Sequence, residues 1–163
     1  MRGAPRQLAI AAAVGMALVT LASSAGAQAS QAGRARGGKG LTWGPAPAVF
    51  PAGAKMAVES GDPGKSGEFV VRLSFPAGYK IPPHFHPTAE HVTVRKGTFL
   101  VGMGDVLDES KTMKMTPGDT GTIPATHHHY AVASTATVLS IRAMGPFAMT
   151  YVNPSDDPTK AKH

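Results

Sequence analysis

The sequence predicts an all-β fold: one small domain of antiparallel strands whose sheet closes on itself. Three observations carry this. After Leu41 apolar residues recur at every second position, the period of a half-buried strand. Turn clusters such as "SGDPGKSG", "FPAGYKIPP", "RKGT", "GMGD", "TPGD" and "NPSDDP" separate these runs. Their spacing is roughly the 8–12 residues of a sandwich or barrel. No stretch beyond Leu41 shows the 3.6-residue spacing of a useful amphipathic helix. Closure is expected because an open sheet edge exposes unpaired backbone groups.

The chain opens outside this domain. "MRGAPRQLAIAAAVGMALVTLASSAGAQA" has a positive head at Arg2 and Arg6, an uncharged run from Leu8 to Leu21, and small residues at "AGA" or "AQA". That is the pattern of a secretory signal peptide, residues 1–27, and the run is too short to span a bilayer of about 30 Å. Cleavage after Ala27 would leave a flexible leader over 28–40, rich in Gly and Arg. It would lower the 16 basic residues to 14 against 10 acidic ones, a modest surplus. The expected localisation is export to the periplasm or medium. No basic stripe with interleaved aromatics points to nucleic acid, and no second apolar segment points to a membrane after cleavage. The chain has no cysteine, so any metal site must use nitrogen and oxygen ligands.

The strands follow in order. "EFVVRLSF" places Phe69, Val71, Leu73 and Phe75 on one face. "EHVTVRKG" sets Glu90, Val92 and Val94 against His91, Thr93 and Arg95. "KTMKM", "TVLSIRA" and "PFAMTYV" read as further strands. Met103, Met113, Met115 and Met149 fall in strand candidates and are expected as flexible core filler rather than thioether ligands for copper(I). "FPAG" occurs at 50–53 and 75–78, marking two similar turns. The domain is expected to span 41–153, with a tail over 154–163.

Six of the seven histidines lie between 84 and 129. In "HFHPTAE", His84 and His86 are two apart, so a strand points both imidazoles the same way. Glu90 opens the next strand on the face of Val92 and Val94. A carboxylate turned inward among apolar residues needs a partner, and a divalent metal would serve. His91 alternates to the opposite face. "PATHHHYAV" then adds His127, His128 and His129.

Glycines bracket this set. "GYKIPPHFHPTAEHVTVRKG" fits G-x5-H-x-H-x3-E-x6-G at every fixed position, from Gly78 to Gly97. "GDTGTIPATHHH" matches a second pattern, G-x5-P-x-G-x2-H-x3-N, at Gly118, Pro124 and His129, with Thr126 and Ala133 in place of its glycine and asparagine. The chain therefore resembles the cupins, and more narrowly single-domain cupins of the quercetin dioxygenase type. The resemblance implies a jelly-roll β-barrel over roughly 41–152. It implies that His84, His86, Glu90 and His129 hold one divalent transition metal, with Glu90 also a possible catalytic base. Three imidazoles and a carboxylate suit Fe, Mn, Ni, Cu, Co or Zn. An open coordination position would distinguish a catalytic from a closed structural site.

Around that site Phe75, Val92, Phe99, Val101, Ala131 and Met149 are expected to point inward. Tyr79 and Tyr130 are open between the pocket mouth and the surface. Arg142 is expected to face solvent, the alternative being an anionic substrate. His127 and His128 are expected to precede the strand, with His127 in a solvated loop, and His163 belongs to the tail. The leading functional expectation is an exported metal-dependent dioxygenase acting on a small organic molecule. The alternative is a non-catalytic binding or sensor protein whose metal organises the pocket, with metal storage weaker because one internal site has little capacity. A homodimer through edge strands is suggested by the resemblance alone.

Overall fold

The computed structural model describes residues 40–160. The expected signal segment 1–27, the leader up to residue 39 and His163 lie outside the described residues. Eleven strands follow in order: β1 Gly44–Pro45, β2 Lys55–Ser60, β3 Gly67–Phe75, β4 Tyr79–Phe85, β5 Glu90–Lys96, β6 Phe99–Met103, β7 Thr112–Met115, β8 Thr120–Ile123, β9 His129–Ala133, β10 Thr137–Gly145 and β11 Thr150–Tyr151. The described helical elements are two 3-10 turns, Glu109–Lys111 and Pro154–Asp156.

The strands form two antiparallel sheets, β1-β2-β3-β10-β5-β8 and β11-β4-β9-β6-β7. No described strand is shared between them, so the sheets face each other as a jelly-roll sandwich, not the hydrogen-bonded closed barrel expected from the sequence. Alternation decides which side chains enter. On β3 Phe69, Val71, Leu73 and Phe75 are all buried, while Val70, Arg72 and Ser74 are half-exposed on the outer side. β10 pairs Leu139 with Leu73 and Ile141 with Val71, and on its other side Ile141 with Val92 and Ala143 with Glu90. That register places Glu90 on the inner face of the first sheet, among apolar neighbours.

Two strand expectations are corrected. "YKIPP" is not a turn but the start of β4. Its prolines lie where the pairing with β9 breaks, between Ile81↔Ala131 and His84↔His129, so neither is asked for a ladder hydrogen bond there. "PFAMTYV" is a strand only at Thr150–Tyr151, and residues 146–149 run as a loop.

Methionine burial is split. Met115 and Met149 are core residues, but Met103 and Met113 are 53% and 60% exposed, against expectation. Met113 lies on β7, the outermost strand of its sheet, and Met103 is the last residue of β6. The period-two pattern marks a face but not where the opposing sheet ends.

A strap over residues 46–54 covers one flank of the sandwich. It is held by Tyr151 Oη donating to the Val49 carbonyl at 2.7 Å and by Tyr79 Oη donating to the Pro51 carbonyl. The two "FPAG" turns pack together, since a Cβ on Gly53 would lie 3.6 Å from Pro76. Phe50 from the strap stacks on Phe147 with centroids 5.9 Å apart.

Candidate metal centre

Three histidines meet between the sheets. His84 sits near the end of β4, His86 just beyond it, and His129 opens β9, where it is the register partner of His84. All three are buried, at 3%, 8% and 2% exposure. One ring nitrogen of each lies within 4.8 Å of the others, so the three could hold a metal ion. Glu90 reaches in from the opposite sheet. Its Oε2 is 3.9 Å from His86 Nε2 and 3.8 Å from His129 Nε2. These separations are too long for hydrogen bonds. They suit two atoms sharing one ion, since ligand bonds of about 2.1 Å put two donors at most about 4.2 Å apart.

The tautomers are settled by the backbone. Nδ1 of His84 lies 2.7 Å from the Pro82 carbonyl, Nδ1 of His86 2.7 Å from the Ala148 carbonyl, and Nδ1 of His129 3.0 Å from the His127 carbonyl. A carbonyl oxygen only accepts, so each Nδ1 carries the proton and donates it. Nε2 of each neutral ring therefore keeps its lone pair for the centre. This is the outer-shell arrangement that orients metal-bound imidazoles. The residues present thus fit a divalent ion.

Burial also favours the neutral rings of His84 and His129. Desolvation pushes the His84 imidazole well below its ordinary range, reinforced by the nearby His129 and His86. Desolvation lowers His129 too, although the His127 carbonyl and the Glu90 charge oppose it. The consequence can be measured on metal-free protein. Unfolded imidazoles take a proton near pH 6.5, these two only at lower pH. In that window the unfolded chain binds more protons, so stability is complete above about pH 6.5 and falls as pH drops towards the folded values. Urea midpoints should decline between about pH 6.5 and 5, above the ordinary range of carboxylates. A flat profile there contradicts the assignment.

The space left at the centre is a cavity of about 30 Å³, lined by these four side chains and by apolar groups including Phe99, Val101, Ile123 and Leu139. That volume takes about two water-sized groups. A family model described as the Cupin domain matches residues 71–142. The polyketide cyclase RemF from Streptomyces resistomycificus shares the fold with a TM-score of 0.54, at 19% identity over 68% of this chain and 81% of that chain. The family match assigns residues 71–142 to the Cupin domain family. An RmlC-like cupin from Shewanella frigidimarina gives a TM-score of 0.49 at 22% identity, covering 58% of this chain and 78% of that one. KdgF from a Halomonas species gives 0.47 at 22% identity, covering 58% and 82%. At 19% identity the likeness to RemF shows the fold alone. No curated protein sequence matches the chain.

The cupin pattern has a backbone explanation here. Gly78, Gly97 and Gly118 all adopt positive φ, at 77°, 83° and 97°. Thr126 stands where the second cupin motif has glycine, and it keeps the glycine conformation with φ 64°. A β-branched residue is strained there. Its backbone N–H donates to the His86 carbonyl at 2.8 Å, tying the turn before His129 to the other ligands.

The three histidines of the run take different places. Only His129 of the three enters the centre. His127 is exposed, yet its carbonyl orients the His129 ring. His128 pairs with Asp105 at 2.6 Å and stacks on Phe85. His91 faces outward and bonds Thr122. Arg142 also faces outward, beside Glu68 at 3.4 Å, on the opposite side of the sheet from the metal cavity. Neither tyrosine reaches a mouth or the surface. Tyr130 is 1% exposed and donates to the Asp108 carbonyl, and Tyr79 is locked to the strap. Of the residues expected inward, Val92, Phe99, Val101 and Ala131 line the cavity, while Phe75 and Met149 are buried elsewhere. Sequence reasoning missed the orienting carbonyls of Pro82 and Ala148 and the lining residues Phe50 and Ile123. The carbonyls carry no side-chain signal, and Phe50 arrives through the strap from outside the motif region.

Proposed function

We propose that this cupin is a metal-dependent enzyme of dioxygenase type that acts on a small organic molecule. The observation that supports this most is the convergence of three unprotonated Nε2 atoms beside Glu90, on a cavity with space for about two water-sized groups, the ion included. A metal held by His84, His86, Glu90 and His129 would supply Lewis-acid polarisation of a bound oxygen atom. The chain supplies the rest. Carbonyl-locked imidazoles present fixed donors, apolar walls exclude bulk water, and Glu90 can take a proton from substrate at Oε1, the carboxylate oxygen it does not share with the ion. Metal-loaded protein should consume oxygen with phenolic substrates, and Glu90→Gln should lower turnover by about 10²–10⁴-fold. Tight binding of such compounds without oxygen uptake would instead support the binding-protein reading. That second reading rests on one observation: among the described residues, the cavity wall holds no titratable side chain beyond Glu90 and the three histidines.

We further propose that the protein is exported, on the strength of the charged head and short apolar run in residues 1–27. N-terminal sequencing of protein from the cell envelope or medium should begin near Gln28. An intact Met1 would contradict export by cleavage.

A further inference from the structure

The 30 Å³ cavity at the histidines is too small for the body of an organic substrate. A second chamber of about 240 Å³ adjoins it. The two share Phe50, Leu73, Ile141 and Glu90 as common walls. The chamber lies between the inner face of β3 and β10 and the strap, with Phe69 and Phe147 meeting edge to face at 6.4 Å. Among the described residues, Glu90 is the only polar side chain in its lining. Pro47, Pro63 and Gly64 bring that lining to the surface, so the chamber can be reached without crossing the metal cavity.

We infer that this chamber holds the substrate's body, and that the substrate is a compound of one substituted ring or two fused apolar rings, with a hydroxyl-bearing head at Glu90. The inference rests on the proposed metal-centred function and specifies its substrate class. Size sets the ring count. A dry cavity of about 150 Å³ accommodates benzene, so 240 Å³ takes more than one ring and less than a three-ring flavonol. Chemistry sets the polarity. A sugar or polyol in this chamber would leave most of its hydroxyls without partners, a heavy desolvation cost. Aromatic walls favour stacked or edge-to-face contact with a flat ring. Glu90, at the junction, accepts a hydrogen bond from the head and orients it towards the histidines.

The test uses the full chain, metal-free and metal-loaded. It is titrated with 4-ethylcatechol, 2-naphthol, the three-ring flavonol quercetin and the polar acid glucuronate. Affinity is read by calorimetry, with metal content measured in parallel. The two smaller aromatics should bind at least tenfold tighter than quercetin or glucuronate. Val71→Phe should fill the chamber and weaken them at least tenfold while metal content is unchanged. Should Val71→Phe not fold, Phe147→Ala at the partly exposed wall should produce a similar loss. Equal affinity for glucuronate, or undiminished ring binding in folded variants that retain metal, overturns the inference. Loss of metal from wild type with ring binding intact overturns the metal-centred reading and spares the chamber.

Discussion

Replacing His86 with alanine should abolish stoichiometric metal binding, whereas His127→Ala should leave it intact. His86 offers its Nε2 to the centre and is held there by the Ala148 carbonyl. Its removal deletes a donor outright, so the affinity loss should exceed the roughly 10–100-fold typical of outer-shell changes. His127 contributes only its backbone carbonyl, which alanine retains. The two variants also separate by stability. Metal at about 100 times its dissociation constant should stabilise wild type and His127→Ala by about 2.7 kcal/mol and leave His86→Ala unmoved. Elemental analysis after gel filtration and denaturation with and without metal read both effects. Retention of a full equivalent by His86→Ala would falsify its role as a ligand.

Gly97→Ala should destabilise the domain severely, by about 2–5 kcal/mol. Two costs add. At φ 83° a Cβ is strained by about 1–2 kcal/mol. The added atom would also overlap the Ala136 carbonyl oxygen and lie 2.9 Å from Thr137 Cα, backbone that cannot rotate away. Overpacking of that kind costs about 1–3 kcal/mol more. Gly78 isolates the first cost: its φ is 77°, but a Cβ added there would meet no atom within 4 Å. Gly78→Ala should therefore lose only about 1–2 kcal/mol. The same reasoning reverses at Thr126, where glycine would relieve strain at φ 64°. Part of that gain is offset by unfolded-state entropy, so Thr126→Gly should stabilise by about 0.5–1 kcal/mol. Urea denaturation ranks the three. Equal losses at Gly97 and Gly78, or a loss at Thr126→Gly, contradict the backbone account.

Much of this molecule was legible in its sequence, and the reasons are specific. β3 and β5 could be read because their alternation extends over several residues with one face turned to the core. The histidine pair and Glu90 could be read because a two-residue spacing on a strand fixes facing without knowledge of the fold. β4 was hidden because prolines argue for turns, and only the local break in its pairing makes them tolerable. The exposure of Met103 and Met113 was hidden because alternation says nothing about where a sheet's partner stops. The apolar chamber was hidden for a related reason. Phe50, Phe69 and Phe147 are far apart in the chain and meet only when the strap and the 146–149 loop fold over β3. Thr126 was visible as a departure from a glycine position, but its retained left-handed backbone was not.

The central claim is one divalent ion between the two sheets, held by His84, His86, Glu90 and His129. Elemental analysis of the full chain tests it most directly, after incubation with Mn, Fe, Co, Ni, Cu or Zn and gel filtration. The account predicts about one ion per chain for at least one of these metals. A folded chain that retains none of the six contradicts it.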